Sequence, residues 1–334
     1  MNQIEIAEHF QISQSTVSRI LKHPDSTKFS RELRQKILAF IRANAPNLLE
    51  GGHTFDLILA APKEYCQNDF YRQMFFGAQQ QANALDYSLL FVDLDRLPTQ
   101  LEKRKFDGIV VSLDDIRTQR PAYDGPLVLL NVTTDDGSLD SIMPDNIAAV
   151  AQALNYLRNV GCERIAYFTF TTFSPFCAQH IWERQTAYLK FCHESGMSER
   201  WFRSCPIHYG HPEEEQEAFR QAFKEFCAAN ILPDAVICHD YYAKSLFTVL
   251  NEFSLCVPDD ISVIGLDNLD QFAALPFLAS IDFHMEEIGA QAVRRLHSLI
   301  CNPQQSHIRT SVQPELILRK SVRQLFETKE ESKK

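Results

Sequence analysis

Three short amphipathic segments open the chain, at residues 3–10, 14–22 and about 30–43. Their apolar residues recur three or four positions apart, which is the spacing of one helical face. Ser13 is a good N-cap for the second segment, and Pro24 ends it. The apolar positions are Ile4, Ile6, Ala7 and Phe10, then Val17, Ile20 and Leu21, then Leu33, Ile37, Leu38, Phe40 and Ile41. The pattern predicts three helices joined by tight connections.

From residue 55 onward, near-continuous apolar runs of strand length alternate with helical patterns, such as the one from Tyr71 to Ala84. Buried strands separated by helices are typical of a parallel sheet that is covered on both faces. The runs are 55–60, 88–92, 107–111 and 126–131, followed by 164–168, 234–238 and 261–265. We therefore expect an α/β body of two doubly wound subdomains, with a ligand cleft beyond the carboxyl ends of the strands.

The composition is that of a globular protein, with 45% hydrophobic and 23% charged residues among 334. No stretch approaches the ~18 uncharged apolar residues of a membrane span, and the first ten residues lack a signal-peptide pattern. We expect a cytoplasmic protein with no membrane partner. The nine cysteines include no C-x-x-C pair, and Cys192-His193 has no partner at ligand spacing. We therefore expect buried thiols, no metal site and no cofactor.

Charge is distributed unevenly along the chain. Residues 1–50 contain seven Lys or Arg and five acidic residues, a net charge of +2, so the remainder of the net −10 chain carries −12. A small basic head on a large acidic body favours nucleic acid as the partner of the head.

The polar face of the second predicted helix suits a DNA major groove. In a helix-turn-helix the first turn of the recognition helix reaches base edges, which favours Gln14 and Ser15 as base contacts. Arg19, one turn further, can reach guanine or phosphate, and hydroxyl groups can donate to phosphate oxygens. The candidate DNA-binding residues are Ser13, Gln14, Ser15, Thr16, Ser18, Arg19 and Lys22. The alternative is a generic three-helix module that binds protein.

The run from Ile6 to Leu21 resembles the V-A-…-V-S-x-x-T-V-S-R-V-L head of the lactose-repressor/galactose-repressor family of bacterial transcription regulators, with Gln11 where the family usually has Gly. The body is also similar to that family. Its matching segments are Asn68-Asp69-Phe70-Tyr71, Asp145-Asn146, the surroundings of Asp240, residues 258–268 and residues 275–281. The resemblance implies a periplasmic-binding-protein-like effector domain behind a helix-turn-helix head.

The resemblance also implies a domain order. We expect a DNA-binding head at 1–45, a linker at 46–54, an effector-binding and dimerisation body at 55–322 and a charged tail at 323–334. Within the body, the N-subdomain is expected at about 55–143 and 280–304, and the C-subdomain at about 144–279 and 305–322.

The effector contacts implied by the family transfer only where the motifs match. Arg184 offers a planar fork of donors suited to sugar hydroxyls, and Asp267 follows a strand at the position of an acid that accepts from ligand hydroxyls. For any one residue the alternative is a surface or helix-capping role, which applies to Asp240 above all. The candidate effector-binding residues are Asp69, Phe70, Tyr71, Asn131, Arg184, Asp240 and Asp267.

The linker departs from the family. Members usually follow Pro-Asn with a short helix that inserts a Leu into the minor groove. Here Pro46-Asn47 is followed by Leu48-Leu49-Glu50-Gly51-Gly52, which is short and holds two glycines that disfavour helix. We expect a weak or absent hinge helix, with Leu48 or Leu49 as its only inserting residue.

The resemblance therefore predicts a homodimeric repressor of a carbohydrate-utilisation operon that releases a palindromic operator when it binds a small sugar. A purine- or nucleoside-responsive regulator of the same family is the alternative. The alternative from another class is an enzyme or a sugar-binding protein that does not bind DNA. Against an enzyme, the sequence has no G-x-G-x-x-G, G-x-S-x-G, P-loop or H-E-x-x-H motif and no assignable catalytic residue.

Overall fold

The computed structural model describes residues 3–22, 28–45, 48, 56–113, 120–134, 137–170, 179–205, 212–269 and 277–324. The helices are α1 (Gln3–His9), α2 (Gln14–Lys22), α3 (Arg31–Asn44), α4 (Asp69–Ala84), α5 (Leu97–Lys103), α6 (Asn146–Asn159), α7 (Gln179–Ser195), α8 (Pro212–Ala228), α9 (Asp240–Glu252) and α10 (Met285–Cys301). The strands are β1 (Asp56–Ala61), β2 (Ser88–Asp93), β3 (Gly108–Val111), β4 (Leu127–Leu130), β5 (Asp140–Pro144), β6 (Ile165–Phe170), β7 (Phe202–Cys205), β8 (Ala235–His239), β9 (Ser262–Leu266), β10 (Ala279–Asp282), β11 (Arg309–Val312) and β12 (Glu315–Ile317). Within these ranges no helix is both long and apolar enough to span a membrane.

Helices α1–α3 form the head around most of the apolar residues that the sequence pattern selects, including fully buried Ile6, Ile20 and Ile37, whereas Ile4 is exposed. The Ser30 hydroxyl caps α3 by accepting from the Leu33 amide at 3.2 Å. Gln11, which stands in the turn before α2, has φ 53°. This left-handed conformation costs a side-chain-bearing residue more than glycine, as expected where the family usually has Gly.

Two six-stranded sheets form the body, as the alternating pattern predicts. Their strand orders are β11-β5-β4-β3-β1-β2 and β12-β10-β9-β8-β6-β7. Among the strands that the structure describes, all pairings are parallel except that of β10 with β12. Because parallel strands end at the same edge, each sheet collects its strand-end side chains at one edge.

The chain crosses between the sheets later than the sequence prediction placed it. Strand β10 continues the second sheet, with Ala279 beside Ile264 of β9, whereas residues from 280 were expected in the N-subdomain. Strand β11 lies beside β5 in the first sheet, whereas residues from 305 were expected in the C-subdomain. The reason is that residues 279–281 form a buried strand beside β9, so the chain leaves the second sheet only after β10.

Helices α4 and α10 pack very closely on the first sheet. A Cβ atom at Gly77 would lie 1.9 Å from the Glu286 carbonyl oxygen, and one at Gly289 would lie 1.8 Å from that of Met74. Only glycine allows this approach, which fixes α4 and the position of its first turn at the cleft.

Candidate functional site

A buried arginine lies where the carboxyl ends of the two sheets meet. Arg184, on α7, has no solvent exposure. Its Nη1 donates to Asp267 Oδ1 at 2.9 Å, and its Nε donates to Asn146 Oδ1 at 2.9 Å. Asp267 follows β9 of the second sheet, and Asn146 is the first residue of α6, just after the chain leaves β5 of the first sheet.

Other side chains hold this ion pair in place. His239, the last residue of β8, has its Nδ1 3.3 Å from Asp267 Oδ2. Asn146 Nδ2 donates to Glu183 Oε2 at 2.8 Å, which fixes the amide that receives the arginine. Asp267 has φ 112°, a strained backbone that its contacts must support.

Aromatic rings surround the guanidinium. Its Cζ lies 4.2 Å from the ring centroid of Phe283 and 5.8 Å from that of Phe70. The His180 ring stacks on Phe70 at 5.5 Å with an interplanar angle of 25°. Phe70 belongs to α4 of the first sheet and His180 to α7 of the second, so this stack crosses the cleft.

Nη2 of Arg184 and Oδ1 of Asn131 are among the buried polar atoms that have no hydrogen-bond partner in the described residues. Asn131 ends β4 with φ 61°. Since buried polar groups are nearly always hydrogen-bonded, this donor and this acceptor mark where a polar ligand can bind.

The charges at the site balance. Burial would raise the pKa of Asp267, but Arg184 and His239 lower it below its ordinary value. Burial lowers the pKa of His180, and the nearby Arg184 charge lowers it further. Burial also lowers the pKa of His239, against the opposing effect of Asp267. Near neutral pH the site therefore holds one ion pair and two neutral imidazoles.

Asp240 lies beside this ion pair but uses its carboxylate within the second sheet. Its Oδ1 accepts from Ser280 Oγ at 2.8 Å, and its Oδ2 accepts from the Leu269 amide at 3.0 Å. Burial and the charge of Asp267 raise the pKa of Asp240 to about 8. The contact with Leu269 ties Asp240 to the loop that carries Asp267.

The first turn of α4 lies on the opposite side of the cleft. Asp69 forms an ion pair with Arg72 at 2.6 Å. The Tyr71 ring stacks on Tyr65 with centroids 3.7 Å apart. Phe70 and Tyr71 are both buried, so their rings already pack within the protein.

Direct hydrogen bonds also cross the cleft. The Tyr241 hydroxyl, on α9, donates to Asn68 Oδ1 at 3.0 Å and accepts from the Asp69 amide at 3.1 Å. The Thr133 amide donates to Gln179 Oε1 at 3.1 Å. The two sheets are therefore held in one closed arrangement.

The structure brings Arg184, Asp267 and Phe70 together, places Asn131 just after β4, and adds residues that sequence reasoning did not assign to the cleft. These are Asn146, His180, His239 and Phe283. His239 ends β8 and Asn146 lies two residues after the end of β5, so the strand-end rule could have found them. His180 and Phe283 enter through tertiary packing, which no local pattern signals.

Helix α2 in the head exposes the face that the sequence analysis singles out. Gln14, Ser15 and Arg19 are exposed, and the opposite face packs into the head core. Ser13 Oγ lies 2.8 Å from the Ser15 hydroxyl and 2.9 Å from that of Thr16. Ser18 is half-buried. The Lys22 side chain lies outside the described residues.

Of the linker, only residue 48 is described; Leu48 packs against the hydrophobic core, and Leu49 lies outside the described residues. Most of the charged tail, residues 325–334, lies outside them as well. Across the described ranges, no group of three or more His, Cys, Asp or Glu side chains could hold a metal ion.

Comparison with known proteins gives consistent matches. A model of the periplasmic binding protein-like domain matches residues 154–322. The "Probable HTH-type transcriptional repressor ExuR" of Bacillus subtilis (strain 168) is 26% identical, over 96% of this chain and 98% of its own length. The HTH-type transcriptional repressor CytR of Escherichia coli (strain K12) is 25% identical, over 96% of each chain.

Solved structures match the fold. The transcriptional regulator CelR in complex with cellobiose has a TM-score of 0.67 at 20% identity, over 96% of this chain and 99% of that one. The Escherichia coli transcriptional repressor ascG has a TM-score of 0.65 at 20% identity, over 80% of this chain and 98% of that one. At these identities the likeness establishes the fold alone.

Proposed function

Because this chain belongs to the lactose-repressor/galactose-repressor family of transcription regulators, we propose that it is a repressor whose affinity for operator DNA changes when a small molecule binds between its two sheets. The buried Arg184–Asp267 pair is the observation that carries the effector site, since it faces Phe70 of α4 across the cleft and leaves Nη2 of the arginine without a hydrogen-bond partner among the described residues. A transcription regulator acts where the DNA is, which favours the cytoplasm. The family and its relatives are regulators, not enzymes.

The effector that fits this site best is a neutral polyhydroxylated molecule, such as a sugar. Asp267 neutralises Arg184, so the site has no unbalanced cation for a carboxylate or phosphate ligand. A sugar hydroxyl can accept from Arg184 Nη2, and another can donate to Asn131 Oδ1. Asp69 and Tyr71 would then border the ligand on the α4 side. Asp240 would position Asp267 through the loop they share.

A purine or nucleoside is the second candidate. The observation that favours it is the Phe70–His180 stack across the cleft, since aromatic faces also pack against a flat base. A thermal-shift screen with cellobiose, galactosides and nucleosides separates the two candidates.

The proposed mechanism is thermodynamic linkage. Ligand contacts from both sheets favour the closed arrangement, in which Tyr241 reaches Asn68. If operator DNA favours a different arrangement, ligand and DNA each weaken the binding of the other by the same factor. The ligand then acts as an inducer and releases the operator.

We also propose that the protein is a homodimer on a palindromic site. A head region with a net charge of +2 over residues 1–50 binds duplex weakly by itself, and two heads on two half-sites supply the missing affinity. The edge strand β2 exposes Phe91, and α4 exposes Phe76. Phe75 packs on Phe91 with centroids 5.2 Å apart. Covering these rings with a second copy removes apolar surface from water.

The test of the proposed function is a pair of titrations. Full-length protein is first used to select its operator from random-sequence duplex DNA. Operator binding is then measured with and without the best ligand from the thermal-shift screen. Release of a palindromic duplex by a sugar supports the proposal in full. Absence of any selected duplex would overturn the repressor function, and release by a nucleoside alone would replace the sugar with the second candidate.

A further inference from the structure

The head contacts the body through helix α3. Gln35 Nε2 donates to Asp86 Oδ1 at 2.7 Å. Asp86 lies in the turn between α4 and β2, at the amino edge of the first sheet. The exposed residues Gln14 and Arg19 belong to α2, so this contact leaves the candidate DNA-binding face exposed. The head therefore sits at the edge of the first sheet that is opposite the cleft.

A basic run lies at the same edge. Residues 103–105, Lys-Arg-Lys, are all exposed and precede β3. The first residues of three neighbouring strands are nearly level, with Asp56 beside Ser88 and Leu57 beside Gly108. Since adjacent strands lie about 4.8 Å apart, β3 begins only about 10 Å from β2 and from the turn that the head contacts.

Lys103 and Lys105 supply the positive charge of this run that is not already used in an ion pair. Arg104 Nη1 pairs with Asp56 Oδ2 at 3.1 Å, so that arginine is already used. Neither Lys103 nor Lys105 forms an ion pair with any residue that the structure describes. Glu102 is the exposed acid of the run. In residues 51–334, which carry a net charge of −12, two ammonium groups that form no ion pair with the described residues stand on the edge that holds the head.

We propose that Lys103 and Lys105 form a second DNA-contacting surface, which binds the phosphate backbone of the duplex beside the half-site held by the head. This inference rests on the proposed function. Ammonium groups bind phosphates without reading sequence, so the contact adds affinity and salt dependence but no base preference. The contact also adds DNA affinity to a head that carries little net charge and is joined to the body by a linker with two glycines.

The test uses the full chain and two operator duplexes. The long duplex extends about ten base pairs beyond each half-site, and the short one ends at the half-sites. Binding is measured by fluorescence anisotropy from 50 to 200 mM KCl for wild type and Lys103→Ala/Lys105→Ala. Lys244→Ala is the matched control, because Lys244 is an exposed lysine on α9 of the second sheet.

On the long duplex, we expect the slope of log affinity against log salt to be smaller in magnitude for the double variant than for wild type. The difference should be about 1 for every lysine that is removed from each bound chain. On the short duplex the double variant should match wild type, and Lys244→Ala should match it on both. An unchanged slope on the long duplex would overturn this inference and leave the proposed function intact. Failure of wild type to bind either duplex would overturn both.

Discussion

The Nη1 atom of Arg184 lies 2.9 Å from Oδ1 of Asp267, and both side chains are buried at the meeting point of the two sheets. Removal of one partner from such a pair leaves an uncompensated buried charge and typically costs about 3–5 kcal/mol of stability. A variant that truncates Arg184 would therefore lose stability as well as ligand contacts, so a loss of ligand binding could not be separated from a loss of folding. The informative variant keeps the positive charge at position 184 and removes the planar guanidinium group with its two terminal nitrogens.

Arg184→Lys is expected to retain the ion pair with Asp267 but to lose the second terminal nitrogen. A hydrogen bond to a charged group contributes about 1.5–3 kcal/mol, so effector affinity should fall roughly 10- to 150-fold. Operator affinity without effector should stay near that of wild type. Calorimetric titration of the effector checks this, with Arg164→Lys as control, since Arg164 pairs with Asp234 at the other end of its sheet. Equal effector affinities of Arg184→Lys and Arg164→Lys would mean that Arg184 does not bind the effector.

Arg19→Ala should weaken operator binding by about 1–3 kcal/mol per head, the size of one good base contact. Effector affinity should not change, because the head and the cleft lie at opposite edges of the first sheet. Anisotropy titration of the operator measures the effect. Lys36→Ala is the control within the head, where Lys36 pairs with Glu32 on α3. Operator binding by Arg19→Ala at wild-type strength would refute the assignment of α2.

Asp240→Asn should change how stability depends on pH. The native pKa of Asp240 is raised to about 8 from an ordinary value of 3.8, so the native state binds the extra proton between these values. The stabilisation from protonated Asp240 is full below about pH 4 and is lost as the pH rises through about 8. The amide is neutral throughout.

The melting temperature of Asp240→Asn relative to wild type should therefore rise steadily from about pH 4 to 8. The exposed Asp95→Asn serves as the control for removing one carboxyl group. A flat difference for Asp240→Asn across this range would mean that the native carboxyl titrates normally.

Gly77→Ala should destabilise the body by at least about 1–3 kcal/mol, the usual cost of overpacking. The added Cβ would fall 1.9 Å from a backbone carbonyl oxygen of α10, which cannot move without the whole helix. Gln80→Ala, an exposed change on the same helix, is the control. Chemical denaturation measures both, and equal stability of the two variants would mean that the helices are not so close.

The sequence pattern predicts the three head helices and the two sheets, and the family resemblance points to Arg184 and Asp267 as cleft residues. Apolar periodicity determines the elements, and the strand-end rule brings Asp267 to the cleft. The strand-end rule does not determine the direction in which each strand-end side chain points. A Cβ atom at Gly265 would lie 1.9 Å from Asp240 Oδ1, so the missing side chain of Gly265 leaves the space into which Asp240 turns.

Long-range packing accounts for what the sequence pattern misses. His180 reaches the cleft because its ring stacks on Phe70, 110 positions away, and Phe283 reaches it from the end of β10. The later crossing at β10 likewise depends on pairing with β9, which a strand pattern alone does not specify. The contact between Gln35 and Asp86 depends on how the head sits on the body.

The central claim is that a ligand in the cleft controls DNA binding by the head. The most direct measurement is operator anisotropy, with wild type and Arg184→Lys each titrated with the effector from the thermal-shift screen. Wild type should release the operator as effector is added, and Arg184→Lys should bind the same operator but release it only at roughly 10- to 150-fold higher effector concentration. Operator binding by wild type that does not respond to a ligand bound in the cleft would contradict the account.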